Sequence, residues 1–339
     1  MINTLDVAQY ARWDEFVNNT DEATFFHLSG WKEVIEQAFG HKTYFLYTEQ
    51  EGEITGILPL VHVNSLLFGN QLSSTAFCVY GGIVASNGEA YNALDQEACR
   101  LAEQLGVDSL EMRNRTQKTP GRPHKDLYVT FRKELDPDVE KNMLAIPRKQ
   151  RAVVRKGIEA GLVSVIDSTV DRLYQAYSES VRNLGTPVFS KKYFQTLKAV
   201  FGEQCEVLTV ELNGQLIASV MNFYYKDEVL PYYGGGTALA RDVKGNDFMY
   251  WEVMRRAVQK GIKIFDYGRS KIGTGSYSFK KNWGFVPEPL FYEFHLVKAK
   301  ALPDINPLNP KYQLFIAAWK KLPLPISQIV GPFLSKDLG

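Results

Sequence analysis

The stretch Tyr232–Phe285, YYGGGTALARDVKGNDFMYWEVMRRAVQKGIKIFDYGRSKIGTGSYSFKKNWGF, decides the fold. Leu230 to Tyr233 form a short apolar run that predicts a strand, ended by Gly234, Gly235 and Gly236. Gly245 and Asn246 then precede Phe248, Trp251, Met254 and Val258, whose spacings of three and four put them on one helix face. Asn246 or Asp247 is placed to cap that helix, and Gly261 stands where a C′ glycine belongs. The β-branched and aromatic run Ile262 to Tyr267 predicts a strand packed back against the helix. A helix preceded by Gly245-Asn246 offers free backbone N–H groups to an anion, so these two residues are candidates for holding a cofactor phosphate. Arg269, Lys271, Lys280 and Lys281 bring fixed positive charge towards the same end. The unit reads as strand, turn, helix, strand and a basic, aromatic second turn, built to hold a phosphate-bearing ligand beside a sheet.

Working outward, the first half of the chain echoes this plan. ALDQEACRLAEQLGVDSLEMRN is again a helix ending at a glycine and followed by a strand. Ala102 aligns with Ala257, Gln104 with Gln259, Gly106 with Gly261 and Glu111 with Asp266, a shift of 155. Upstream, YFLYTEQEGEITGILPLVHV and CEVLTVELNGQLIASVMNFYY are both strand pairs around tight turns, Glu51-Gly52 and Asn213-Gly214, at a shift of 162. The two shifts predict a duplicated α/β module of about 150 residues, with chance likeness of generic helix–Gly–strand units as the alternative. We place a first module at 1–145, a second carrying the site at 146–300, and a Pro-rich C-terminal appendage at 301–339. Between the halves, NRTQKTPGRPHKDLYVTF reads as a turn-rich connection. In PRKQRAVVRKG, Pro147 sits at a helix start, and Arg148, Arg151 and Arg155 form one basic stripe. The appendage carries one amphipathic piece, Tyr312 to Lys321. It is read as packed on the core, with a peripheral membrane contact as the alternative.

With 39 basic and 38 acidic residues among 339, the chain carries no general coat for nucleic acid or membrane. Electrostatic function has to come from local clusters. Cys78, Cys99 and Cys205 are odd in number and far apart, which suits a reducing compartment. The first residues, MINTLDVAQYARWDEF, show neither the basic start nor the apolar run of a signal peptide. A cytoplasmic protein is expected, at most touching the inner face of a membrane. The five histidines form no HExxH or close pair, so no catalytic metal is expected. There is no GxSxG elbow, no Walker loop, and no G-x-G-x-x-G ahead of a helix.

PRKQRAVVRKG, NDFMYWEVMRRAVQKGIKIFDYGRS and SYSFKKNWGF resemble the Fem-type aminoacyltransferases and their FemAB-like relatives. FFHLSGWKEVIEQAFGH is similar to the start of the first Fem module. The tail NPKYQLFIAAWKKLPLPISQIVGPFLSKDLG is similar to a FemAB-like subgroup found with exosortase and exopolysaccharide systems. The resemblance covers nearly the whole chain, and Phe-Lys-x-x-Trp-Gly together with Phe-Asp-Tyr-Gly-Arg is its most specific part. It implies an α/β fold of two tandem GNAT-like (acyl-CoA N-acyltransferase-like) modules, with mixed sheets flanked by helices. It further implies N-acyl transfer, aminoacyl or acyl, onto an amine of a cell-envelope or exopolysaccharide precursor, with Phe279 and Lys280 near the donor. No long charged helical hairpin is present, which leaves the donor open between aminoacyl-tRNA and acyl-CoA, with no permanently bound cofactor. Ile35 stands where several members carry the lysine of Trp-x-x-Val-Lys, which leaves open whether the acceptor is a nucleotide-diphosphate sugar.

Acyl transfer needs a free amine, a stabilised oxyanion and a held leaving group. An amine of pKa about 8 to 10 is a few per cent free at neutral pH, and orientation supplies roughly 7 to 11 kcal/mol. Lys280 is the candidate for the oxyanion. Asp266 is the candidate proton acceptor, or a strand carboxylate paired with Arg269. Arg148, Arg151, Arg155, Arg269 and Lys281 are candidate phosphate ligands, the arginines through their bidentate forks; a solvated helix face is the other reading of the stripe. Tyr232 and Tyr233 line an acceptor cleft or simply pack. Two rivals are an acyl-CoA-dependent N-acetyltransferase using the Arg241-to-Gly245 turn on the pyrophosphate, and a non-catalytic RNA- or scaffold-binding protein.

Overall fold

The computed structural model describes residues 2–66, 68–303 and 310–339, which form two compact units. The first takes the chain up to Tyr128, the region after Pro289, and Lys336–Gly339; the second takes Val129–Glu288 and the helices that end at Ser335. The first unit's sheet runs β1 (Ile2–Thr4), β2 (Lys42–Gln50), β3 (Glu53–Ser65), β4 (Gly69–Ser74), β6 (Ser109–Asn114), β16 (Phe291–Leu296) and β7 (His124–Lys125), with β5 (Val84–Ala85) on β3. Its helices are α1 (Tyr10–Asn19), α2 (Gly30–Phe39) and α3 (Gly88–Leu105). The second sheet runs β14 (Ser270–Lys271), β8 (Tyr128–Glu134), β13 (Ile264–Asp266), β12 (Glu228–Gly236), β11 (Gln215–Tyr225), β10 (Cys205–Leu212) and β9 (Val163–Asp167), with β15 (Pro287–Pro289) on β8. With it go α4 (Val139–Ala145), α5 (Arg148–Glu159), α6 (Asp171–Leu184), α7 (Lys191–Phe201), α8 (Gly245–Gln259), α9 (Gly275–Asn282), α10 (Pro310–Trp319) and α11 (Leu324–Ser335).

The duplication is physical. Each unit holds an antiparallel hairpin followed by one parallel strand pair, β4 with β6 and β12 with β13. Both hairpins turn on two left-handed residues, Glu51 and Gly52 in one and Asn213 and Gly214 in the other. Left-handed backbone at both central positions makes a type I′ turn, which matches the twist of the flanking strands. Both α3 and α8 are followed by a glycine of positive φ, Gly106 and Gly261, ahead of the second parallel strand.

Three expectations are corrected. The module boundaries at 145 and 300 do not hold, because each sheet takes a strand from outside its own stretch of chain. Val129 and Phe131 of β8 are buried in the second core, although this segment reads as a turn-rich connection. Tyr292 and Phe294 of β16, expected in the second module, are buried on a strand beside β6. The second correction concerns the three glycines, which do not end β12; they continue it, paired with Val220, Ser219 and Ala218. A Cβ on Gly235 would stand 2.8 Å from the Ala176 carbonyl oxygen and from the Tyr177 Cα. Gly235 thus lets α6 lie directly on the strand. We expect Gly235→Ala to cost about 1–3 kcal/mol in denaturant unfolding, because the obstruction is helix backbone and cannot rotate away. The third correction moves the start of α8 to Gly245, capped by Lys244 in left-handed conformation without a side-chain bond. A Cβ on Gly245 would lie 2.3 Å from Ile217 Cγ2, so the helix enters tight against β11.

Helix α8 is the spine of the second core. Phe248, Met249, Trp251, Val253, Met254, Ala257 and Val258 are all buried, against sheet residues such as Leu208, Val220 and Val229. Gly157 of α5 approaches the Phe248 Cβ on its other side. The C-terminal stretch, expected to hold one amphipathic piece, forms two helices, and α11 packs on α6 through Gln328 and Ser178.

Candidate functional site

The second unit's site begins where its parallel strands part. β12 and β13 pair only at Glu228 with Ile264 and at Val229 with Phe265. One step on, a register shift between Met221 and Asn222 sets Asn222 opposite Pro231. Proline supplies no N–H, and the Asn222 side chain is fully buried with neither amide atom bonded by protein. β12 then follows β11 out to Gly236, whereas Tyr267 donates its N–H to Phe131 of β8. A V-shaped opening results between residues 230–236 and 266–270.

The far wall of this opening is the loop 267–269, and Lys280 ties it down. Its Nζ donates to the carbonyls of Tyr267 at 2.7 Å, Gly268 at 2.9 Å and Arg269 at 3.1 Å. Thr274 caps α9 through the Tyr277 N–H, which sets the helix carrying Phe279 and Lys280. Only 8% of Lys280 is exposed, with the rings of Phe131 and Tyr267 at 5.6 and 5.8 Å. Burial pushes its pKa down to about 7, while Asp266 draws it up and Arg269 lowers it further. An ammonium has three hydrogens, and three carbonyls take them. The ammonium therefore holds the loop 267–269 and has no hydrogen left for the oxyanion that its sequence context indicates.

The depressed pKa has a stability consequence. Between about 7 and the ordinary 10.5, the unfolded lysine holds a proton that the folded one releases. Stability therefore rises with pH across that window, by at most about 1.4 kcal/mol per unit. Urea unfolding from pH 7 to 9 should show this slope in the native chain and lose it in Lys280→Met.

Asp266 is fully buried and accepts from Thr130 Oγ1 at 3.2 Å and from the Gly268 N–H at 2.7 Å. Arg132 of β8 lies 3.4 Å away and is also bonded to Glu228. The carboxylate thus anchors the same loop from below. Arg132 and Thr130 were missed because β8 reads as a connection. Tyr267 and Ser270 were missed as well: both hydroxyls are buried without a protein partner. Buried orphan hydroxyls are uncommon enough to mark a place where something else supplies the bond.

The remaining candidates separate. Phe279 packs in one aromatic cluster with Tyr250, Tyr267 and Trp283, and Arg269 is exposed at the loop tip. Lys281 is exposed over the Tyr277 ring. Tyr233 faces α6 and α7, buried, its hydroxyl 2.8 Å from that of Tyr193; Tyr232 packs edge-on against it. Tyr233 is therefore core. Arg148 and Arg155 are exposed on α5, and Arg151 donates to the Leu144 carbonyl. The single groove expected of this stripe with Lys280 does not form, because the Lys280 ammonium is enclosed. What joins α5 to α9 is Asp247, which accepts from Gln150 Nε2 and from Trp283 Nε1. Burial raises the Asp247 pKa, and its bonds to Trp283 and Gln150 lower it. Gly245 is buried, and the Asn246 side chain lies against Gly236. The first turn of α8 thus already holds a carboxylate where an anion was expected.

The first unit has a cleft of about 310 Å³ that no sequence motif marks, lined among others by His27, Tyr80, Gly82, Asn114 and Arg115. It lies at the end of the parallel pair of β4 and β6, the counterpart of the opening in the second unit. His27 accepts the Thr24 N–H on Nδ1 and donates from Nε2 to the Gly82 carbonyl at 2.9 Å, so it is the neutral Nε2–H tautomer. Arg115 lies 5.5 Å over the Tyr80 ring. The one sequence signal was the glycine pair Gly81-Gly82.

Residues 146–281 match the family described as an acetyltransferase (GNAT) domain. Among solved structures, FemX is similar at 15% identity over 93% of this chain and 100% of its own, with a TM-score of 0.66. The C-terminal domain of a putative lysylphosphatidylglycerol synthetase from Agrobacterium fabrum is similar at 14% identity, 86% and 92% coverage and TM-score 0.57. A tandem GNAT protein from the clavulanic acid biosynthesis pathway is similar at 12% identity, 90% and 99% coverage and TM-score 0.56. No curated protein matches the chain by sequence.

Proposed function

We propose that this chain, a tandem GNAT-like acyltransferase by fold, moves an aminoacyl or acyl group onto an amine of a cell-envelope or exported polysaccharide precursor. The observation that carries the reading is the parting of β12 from β13 after two paired residues, with the loop 267–269 pinned by Lys280 and Asp266. A strand edge opened in this way exposes backbone groups to an extended acyl donor. The amine nitrogen attacks the donor carbonyl carbon, the carbonyl oxygen carries the negative charge in the tetrahedral intermediate, and the C–O or C–S bond breaks as the proton shed by the nitrogen passes to the leaving oxygen or sulfur. In this reading the chain's own residues contribute orientation, not a strong base, and orientation is the larger effect for an amine nucleophile.

Aminoacyl-tRNA is the donor we favour over acyl-CoA. A pyrophosphate at the first turn of α8 would meet the Asp247 carboxylate, which Gln150 and Trp283 hold in place. The exposed Arg148 and Arg155 are free of that conflict and suit RNA phosphates. Charged tRNA should raise the melting temperature more than acetyl-CoA at equal concentration of added ligand. The Arg148→Ala, Arg155→Ala double variant should keep its stability and show a shallower salt dependence of tRNA binding by about one to two phosphates. A shift with acetyl-CoA alone would return the acyl-CoA reading. Steep salt-dependent RNA binding without any acyl transfer would return the non-catalytic one.

A further inference from the structure

Surface helices normally turn their polar side outward. α11 does the reverse. Ser327, Gly331 and Ser335, one turn apart, are its buried residues. Gln328 donates to Ser178, Ser335 donates to the Val188 carbonyl, and Gly331 lies so close to Val188 that a Cβ would come within 2.9 Å of its nitrogen. Outward, at spacings of three, one and three, stand Ile326, Ile329, Val330 and Phe333, with Ile329 67% and Phe333 71% exposed. On α10, Leu314 is 79% exposed and Phe315 is also exposed. Lys320 and Lys321, in the turn between the helices, are exposed too. From Gln313 to Lys336 the chain has three lysines and no aspartate or glutamate, although it carries 38 acidic residues in all.

We infer that the outer face of α10 and α11 docks on the surface of an anionic lipid bilayer. Bulky apolar residues on one helix face, flanked by lysines and free of carboxylates, are the requirements of a helix lying in the headgroup region. The lysines add attraction to anionic headgroups. A second copy of the chain fits less well. A two-fold contact sets the same patch against itself, and this patch would then bring lysines to lysines with no carboxylate to meet them. Among the described residues no helix is long and apolar enough to cross a membrane, so the contact is peripheral.

The test uses the full chain and vesicles of phosphatidylcholine, with and without about 30% phosphatidylglycerol to supply anionic headgroups. Co-sedimentation with the anionic vesicles is expected, with at least about tenfold weaker binding for Ile329→Glu, Phe333→Glu. Lys320→Glu, Lys321→Glu should weaken binding to anionic vesicles only, and salt should do the same. Both pairs are exposed, so circular dichroism and melting temperature should be unchanged. The inference is overturned if the native chain binds neither vesicle, or if both double variants bind as it does. It is also overturned if sedimentation equilibrium shows a dimer that Ile329→Glu, Phe333→Glu dissociates while vesicles are ignored.

Discussion

Lys280→Met is expected to lower stability by about 2 kcal/mol and acyl transfer by about 100-fold. Methionine keeps the length and removes every hydrogen the three carbonyls of Tyr267, Gly268 and Arg269 receive. Buried groups left without partners cost about 1–3 kcal/mol each, which alone would predict a larger loss. The same variant relieves the desolvation that holds the lysine pKa near 7, and that relief offsets much of it. The net loss is therefore modest in stability and large in rate, because a wall displaced by an ångström spoils the alignment of donor and amine. Urea unfolding and transfer assays measure the two effects. Amide exchange at 267–270 should accelerate in the variant. If that loop stays protected while transfer collapses, Lys280 acts on the reacting atoms instead.

Asp266→Ala is expected to be the more damaging to folding, by about 3–5 kcal/mol, since it removes one of the two carboxylates around the half-buried Arg132 and leaves Glu228 as the other. Thr130 Oγ1 and the Gly268 N–H lose their acceptor in the same step. Asp266→Asn should cost about half as much. Its carbonyl can still accept those two bonds, but its amide then faces a guanidinium 3.4 Å away. An asparagine variant as unstable as the alanine one would place the main contribution in the charge rather than in the hydrogen bonds.

Local chemistry made part of this legible in the sequence. The turns at Glu51-Gly52 and Asn213-Gly214 and the glycines after α3 and α8 each have a backbone requirement that few residues meet, and together they disclosed the duplication. What the sequence hid was non-local. β8 and β16 join sheets far from their own neighbours in the chain, and a strand of seven residues bounded by prolines and glycines reads as a connection. Gly234–Gly236 read as a turn because the helix that requires the bareness of Gly235, α6, lies more than fifty residues upstream, and Gly236 is bare for Ala240 and Asn246. In the site, the family resemblance singled out Phe279 and Lys280 and residue type singled out Asp266, but neither showed what Lys280 bonds. A lysine reads as a free charge until the three carbonyls that enclose it are seen. The inverted face of α11 was likewise invisible, because spacing reveals an apolar stripe without saying which way it turns.

On the proposed function, the donor binds where β12 and β13 part. Hydrogen exchange on the full chain, with and without charged tRNA and with and without acetyl-CoA, decides whether it does. Protection by one of these donors in residues 230–236 and 266–270 is the predicted result. Protection confined to residues 80–84 and 113–118 of the first unit, with the second unit unchanged by either donor, would contradict it.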